Sequence, residues 1–228
     1  MKVLISGASR GIGLFLMKEL IQRGFKVFGT YNKTKPEVAF ADLISKVDVS
    51  DINQVKSWVT SIVEPRDKIV VINCAGTNYN AFAHKAEVDK WTQVINVNLI
   101  GSFNLIHSTL PYMRELGFGR IINFSSIVAQ KGIPGTSAYA ASKAALWGMS
   151  KSIAAENAKK GITINSLNLG YFDIGMITEV PDHILEGIKK TIPSQKLGNP
   201  EEILNTVMYL IENEYLNGTS LDINGGLY

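Results

Sequence analysis

The chain has one cysteine, Cys74, so no internal disulfide framework can form, and a reducing, cytoplasmic setting is expected. Its three histidines, His84, His107 and His183, are scattered without metal-ligand spacing, and no metal site is expected. No run approaches the ~20 apolar residues of a membrane span. The opening apolar run, Val3-Leu4-Ile5, is too short for a signal-peptide core. Charge is nearly balanced, with 23 Lys and Arg against 20 Asp and Glu and no blocks of one sign. Nothing in that balance calls for a nucleic-acid partner. A G-x-S-x-G elbow and a P-loop G-K-[ST] are also missing, which removes the usual serine-hydrolase and P-loop nucleotidase signatures.

What is present is a 228-residue chain, 46% hydrophobic, enough for one core and too short for two full domains. Short apolar runs rich in β-branched residues alternate with segments of helical period, which predicts a single doubly wound α/β domain over 1–228 with a seven-stranded parallel sheet. Strands are expected at 2–6, 25–30, 43–48, 68–73, 119–125, 162–168 and 220–223. A helical stripe from Leu14 to Ile21 is stopped by Gly24. Further helices are expected at 51–63 with Ser50 as N-cap, 87–115, 137–160, and 200–212 with Pro200 at the first helical position. The stretch 170–193 follows a strand and lacks a clean period, so it is read as a substrate lid.

Between the first strand and first helix lies Gly7-Ala8-Ser9-Arg10-Gly11-Ile12-Gly13. A glycine turn there lets backbone N–H groups and a helix N-terminus face a pyrophosphate. Dinucleotide sites usually place a carboxylate after the second strand, to accept from a ribose 2′-OH. Here Tyr31-Asn32-Lys33 stands instead. With Arg10 and Lys33 nearby, a 2′-phosphate would meet positive charge, which favours NADP(H) over NAD(H). Asp48-Val49 and Asn73-Cys74-Ala75-Gly76 end the third and fourth strands, on the edge where open α/β sheets bind ligands.

After the fifth strand come Ser126 and then Tyr139-Ala140-Ala141-Ser142-Lys143. On a helix, Tyr139 and Lys143 share one face a turn apart. An ammonium beside a phenol lowers its pKa, making the pair an acid/base group, while the Ser126 hydroxyl could hold a carbonyl oxygen beside it. Tyr31 and Lys35 share the same spacing but run into Pro36, which disfavours a helix. Placement separates the two pairs.

Together these segments resemble the short-chain dehydrogenase/reductase family along the whole chain, and most of all the 3-oxoacyl-[acyl-carrier-protein] reductases. The matching pieces are the glycine loop, Asp48-Val49, Asn73 to Gly76, Asn98 to Gly101, Ser126, Tyr139 with Lys143, Gly170, Gly198 to Glu202, and Asn224 to Gly226. The resemblance implies that Tyr139 donates a proton to the carbonyl oxygen, Ser126 polarises it, Lys143 binds the nicotinamide ribose, and Asn98 holds a proton-relaying water. It implies cofactor contacts from Gly7, Ser9, Arg10, Gly11, Ile12, Gly13, Asn32, Lys33, Asp48, Val49, Asn73, Ala75, Gly76, Tyr139, Lys143, Gly170 and the Phe172 backbone. It also implies a homotetramer. The chain departs from the family's pattern at Leu169, at Ile174 where a threonine is common, and at Gly117, where carrier-docking relatives have a basic residue. Lys159 and Lys160 match the other docking position. Three readings follow: a reductase of 3-oxoacyl thioesters, the same chemistry on another small carbonyl or alcohol, or a nucleotide sensor. The intact Ser, Tyr and Lys set argues against the last.

Overall fold

Strands buried at every position form where helices cover both sheet faces. In the computed structural model, which describes residues 1–228 apart from the side chains at 176 and 179, this applies to β1 (Lys2–Ser6), β4 (Ile69–Asn73), β5 (Gly119–Ser126) and β6 (Ile162–Leu169). With β2 (Lys26–Tyr31), β3 (Ile44–Lys46) and β7 (Ser220–Ile223), the described residues form one seven-stranded sheet ordered β3-β2-β1-β4-β5-β6-β7. Every pairing is parallel. The strand order turns back between β1 and β4, and the crevice at their carboxyl ends is where such sheets take ligands.

Alternate strand residues serve opposite faces. Val3, Ile5, Val70 and Ile72 pack with Leu16, Met17 and Leu20 of α1 (Gly11–Gln22) and with Ile203, Leu204 and Val207 of the C-terminal helix Pro200–Glu212. Leu4, Ile69 and Val71 pack on the other side with α2 (Ile52–Ile62) and with residues of two longer helices, Gly101–Leu116 and Ser137–Asn157. The C-terminal helix begins as expected, with Pro200 in its first turn and a capping box from Asn199 and Glu202.

Three details differ from the sequence reading. Asp51, not Ser50, caps α2, accepting from the N–H groups of Asn53 and Gln54 at 2.9 and 3.4 Å. Ser50 is instead drawn to Asp48 Oδ1, donating its N–H at 3.0 Å and its hydroxyl at 2.6 Å. The expected helix 87–115 is α3 (Val88–Ile95) and α4 (Gly101–Leu116), joined through a π-helical segment, Asn96–Ile100. The stretch 170–193 contains a 3₁₀ turn, Gly175–Glu179, and a helix, Asp182–Thr191. That helix escapes a periodicity argument because its apolar stripe is only Ile184, Leu185 and Ile188, and none of its described residues is buried. The remaining helices are α5 (Val128–Lys131) and α6 (Ser137–Asn157), so the last two are α7 (Asp182–Thr191) and α8 (Pro200–Glu212). Among the described residues no helix is long and apolar enough to cross a membrane.

One buried cation ties the far end of the sheet together. Arg120, 5% exposed, donates through Nε to the Ile211 carbonyl at 3.0 Å, and through Nη1 to the carbonyls of Gly119 and Gly161 at 2.9 and 3.0 Å. Its guanidinium also lies 4.5 Å from the Phe118 ring centroid. Arg120→Leu removes donors from these carbonyls and is expected to cost about 2–4 kcal/mol in urea unfolding. A loss below about 0.5 kcal/mol would show that the carbonyls find other partners.

Candidate active site

The site starts where β1 ends. Gly7 adopts φ +72°, and a Cβ on it would lie 2.8 Å from Ala75 Cα. A Cβ on Gly13 would lie 2.2 Å from the Gly7 carbonyl oxygen. Only glycine fits either place. The loop is held on both flanks: Ala8 N–H donates to the Thr30 carbonyl at 2.8 Å, and Ser6 Oγ accepts from Ala75 N–H at 3.1 Å. The first turn of α1 carries no acidic residue, so its positive end is unopposed. A cradle this close to the backbone, opening on a helix N-terminus, fits a dinucleotide pyrophosphate.

The cradle is one wall of a cleft of about 1220 Å³. Gly7, Ser9, Arg10, Gly11, Ile12 and Gly13 line it, with Asn32 and Lys33 at the end of β2. Asp48, Val49, Ala75 and Gly76 follow along the strand ends, and Ser126, Tyr139, Lys143, Gly170 and Phe172 complete it. Two expected residues do not line it. Asn73 is buried within the sheet, donating to Asn123 Oδ1 at 2.8 Å, because its side chain faces the neighbouring strand instead of the crevice. Asn98 is fully buried, and its side chain is committed elsewhere. Its Oδ1 accepts from Thr77 N–H at 2.8 Å, and its Nδ2 donates to the Thr77 carbonyl at 2.9 Å and to Ser142 Oγ at 3.0 Å. The amide therefore pins the loop after β4 to α6, in the turn that carries Lys143. Ile174 lines the cleft, and its N–H donates to the Phe172 carbonyl at 2.7 Å. Thr178 also lines it, with its hydroxyl donating to the Gly175 carbonyl at 2.8 Å.

Tyr139 and Lys143 lie one turn apart on α6, opposite the carboxyl end of β5. The ammonium sits 5.7 Å from the phenol ring centroid. It donates to the Phe124 carbonyl at 2.6 Å, while the Lys143 carbonyl accepts from Ser125 Oγ at 3.0 Å. Ser126 Oγ accepts from Val128 N–H at 3.2 Å and is hydrogen-bonded to Tyr139. Burial raises the pKa of Tyr139 above its ordinary value, and the bond to Ser126 opposes that rise only in part. The expectation of a phenol acidified by Lys143 is thus reversed. Desolvation governs both members of the pair, since burial also lowers Lys143 to about 8, with Cys74 opposing that shift. Cys74 lines the same cleft, and burial pushes its thiol up to about 12, with Lys143 opposing. Such a thiol is a weak nucleophile near neutrality.

The sequence reading missed the support beneath Ser126. Trp147 Nε1 donates to Asn168 Oδ1 at 2.8 Å, and Asn168 Nδ2 donates to Asp222 Oδ1 at 2.7 Å. Gln130 Nε2 donates to the same Asp222 oxygen at 2.9 Å. This chain fastens α5, the turn directly after Ser126, to β6, β7 and α6. Its partners lie 21, 54 and 92 positions apart, so no local motif marks them.

Lys143 sets a stability prediction. With a folded pKa near 8 against an ordinary 10.5, the folded chain holds fewer protons than the unfolded one between those values. The penalty is complete below about 8 and fades as pH rises towards 10.5. It is on the order of 3 kcal/mol, larger than the single hydrogen bond to Phe124 that a substitution loses. Lys143→Met is therefore expected to raise Tm at pH 7, with the gain shrinking at pH 10. A lower Tm at pH 7 would contradict this.

Comparison with known proteins places the chain. Residues 7–228 match the family described as Enoyl-(Acyl carrier protein) reductase. An acetoacetyl-CoA reductase of Shinella zoogloeoides is 37% identical, covering 99% of this chain and 97% of the relative. The acetoacetyl-CoA reductase of Rhizobium meliloti (strain 1021) is 36% identical over the same shares. The 3-oxoacyl-[acyl-carrier-protein] reductase FabG of Staphylococcus aureus strain Mu50 is 33% identical, again over 99% of this chain and 97% of the relative. With its doubly wound sheet, glycine cradle and Ser, Tyr and Lys cluster, the chain belongs to the short-chain dehydrogenase/reductase family of oxidoreductases.

Proposed function

We propose that this protein reduces the ketone of a 3-oxoacyl thioester to the secondary alcohol, with NADPH as hydride donor and Tyr139 as proton donor. The observation that carries the reading is the convergence of Ser126, Tyr139 and Lys143 on the cleft that opens from the glycine cradle. Bound NADPH supplies the hydride that adds to the carbonyl carbon. Ser126 Oγ orients the carbonyl oxygen beside the phenol, and Tyr139 Oη gives its proton to that oxygen as negative charge develops there. A raised pKa suits this direction, because the phenol stays protonated and ready to donate at neutral pH. Lys143, cationic below about 8, offers its ammonium to a ribose hydroxyl and stabilises the phenolate left behind.

The preference for NADPH rests on Arg10 and Lys33, which line the cleft where β2 ends in Tyr31-Asn32-Lys33 without a carboxylate. The thioester substrate rests on the named activities of the relatives. A carrier protein could be met by Lys159 and Lys160, exposed in the turn that follows α6, beside Arg114, which Asn157 holds at 2.5 Å. We also propose a homotetramer, supported by Ile100 and Phe103, exposed at the start of α4. The segment 170–193, which carries α7 along the cleft, acts as the lid.

Tyr139→Phe is expected to keep NADPH binding, followed by nicotinamide fluorescence, and to lower acetoacetyl-CoA reduction by roughly 10²–10⁴-fold. In the same assay the unaltered protein should use NADPH in preference to NADH. Near-normal turnover by the Tyr139→Phe variant would end the assignment, and a preference for NADH would end the charge argument.

A further inference from the structure

A second, smaller cavity adjoins the cleft. Tyr171 and Ile188 line both, and Ile127, which directly follows Ser126, lines the smaller one. At about 480 Å³ it falls within the ~300–1,000 Å³ range of small-molecule sites. Its lining is mostly apolar, from Ile127 and Ile133 beside α5 to Ile184 on α7 and Leu227 near the C-terminus. None of the described lining residues carries a carboxylate, and Lys131 brings the one charge.

Two features of α7 need an explanation that the protein's own packing does not supply. The helix buries none of its described residues, yet Ile184 stands 48% exposed on the stripe that faces this cavity. Gly187 sits in the middle of the helix, where glycine is unfavourable. It is not among the residues of positive φ, and a Cβ placed on it would meet nothing within 4 Å. Neither backbone strain nor crowding calls for glycine there. The missing side chain instead leaves the cavity open, and an apolar ligand would cover the exposed stripe.

We infer that this cavity takes the apolar tail of the acyl chain, that the substrates are 3-oxoacyl thioesters longer than 3-oxobutanoyl, and that Gly187 limits the length accepted. This inference rests on the proposed reaction for the placement of the ketone at Ser126 and Tyr139. From there a chain of a few carbons remains in the main cleft, whereas a longer one passes Tyr171 and Ile188 into the second cavity. A larger side chain at position 187 would occupy the space that only the longer chain uses.

The test compares NADPH-dependent turnover of 3-oxobutanoyl-CoA and 3-oxodecanoyl-CoA by the unaltered protein and by Gly187→Leu and Gly187→Ala. Calorimetric binding of decanoyl-CoA, which has no ketone to reduce, is measured alongside. The unaltered protein should have the higher kcat/KM on the longer thioester. Gly187→Leu should lower the ratio of long-chain to short-chain kcat/KM by roughly tenfold or more and weaken decanoyl-CoA binding similarly, with Gly187→Ala intermediate. If both thioesters are reduced but the ratio does not respond to position 187, the inference fails and the reaction stands. If neither is reduced while decanoyl-CoA binding still depends on position 187, the reaction fails and the cavity assignment stands. If neither is reduced and binding is insensitive to position 187, both fail.

Discussion

The attachment of α6 to β5 is the constraint on which the site depends. Ser125 holds the Lys143 carbonyl, and the Lys143 ammonium reaches back to the Phe124 carbonyl. One residue of the helix is thereby fixed at both ends to the strand that ends in Ser126. The buried stripe of α6, Ser142, Lys143, Leu146, Ser150, Ile153 and Asn157, continues the contact and keeps the helix from sliding. Tyr139 sits one turn before Lys143 on this anchored helix, so the phenol and the Ser126 hydroxyl are placed by regular structure rather than by a loop. Asn98 then ties the loop after β4 to Ser142, bringing Gly76 and the cofactor cleft into register with the same turn.

Anchoring by burial has an electrostatic consequence. The phenol, ammonium and thiol of Tyr139, Lys143 and Cys74 all lose water, and each shifts towards its neutral form. For Tyr139 this is the form that the reaction we propose calls on to give a proton to a developing alkoxide. For Lys143 it brings the charge change to about 8, near the working pH of most cells. Folding stability is spent there on a desolvated charge, a common feature of sites that hold reactive groups ready.

The parts legible in the sequence are those set by local chemistry. Strands buried on both faces announce themselves as continuous aliphatic runs, and all seven lie within two residues of their expected bounds. The glycine cradle was legible because its glycines sit between a strand and a helix, and Tyr139 with Lys143 because a helix spaces them by one turn. The rest depends on contacts that spacing does not encode. Nothing in the composition of Asn96–Ile100 signals a π-helical shift. Asp51 displaces Ser50 as a cap because Asp48 captures the serine. Asn73 lies on a matching motif yet faces Asn123, and Asp222 supports the Ser126 turn from 92 positions beyond Gln130. The direction of the Tyr139 shift was likewise hidden, since a pair read from spacing shows the neighbouring charge but not the depth of burial.

The central claim is that burial holds Tyr139 protonated and makes Lys143 the group that titrates first. The pH dependence of kcat/KM for NADPH-dependent reduction of acetoacetyl-CoA tests it directly, because that profile reports the ionisations of the free enzyme. The account predicts a plateau through neutral pH and a decline as pH passes about 8, where Lys143 loses its charge. A rate that climbs through the same range would contradict it, since the deprotonated site would then be the more active one.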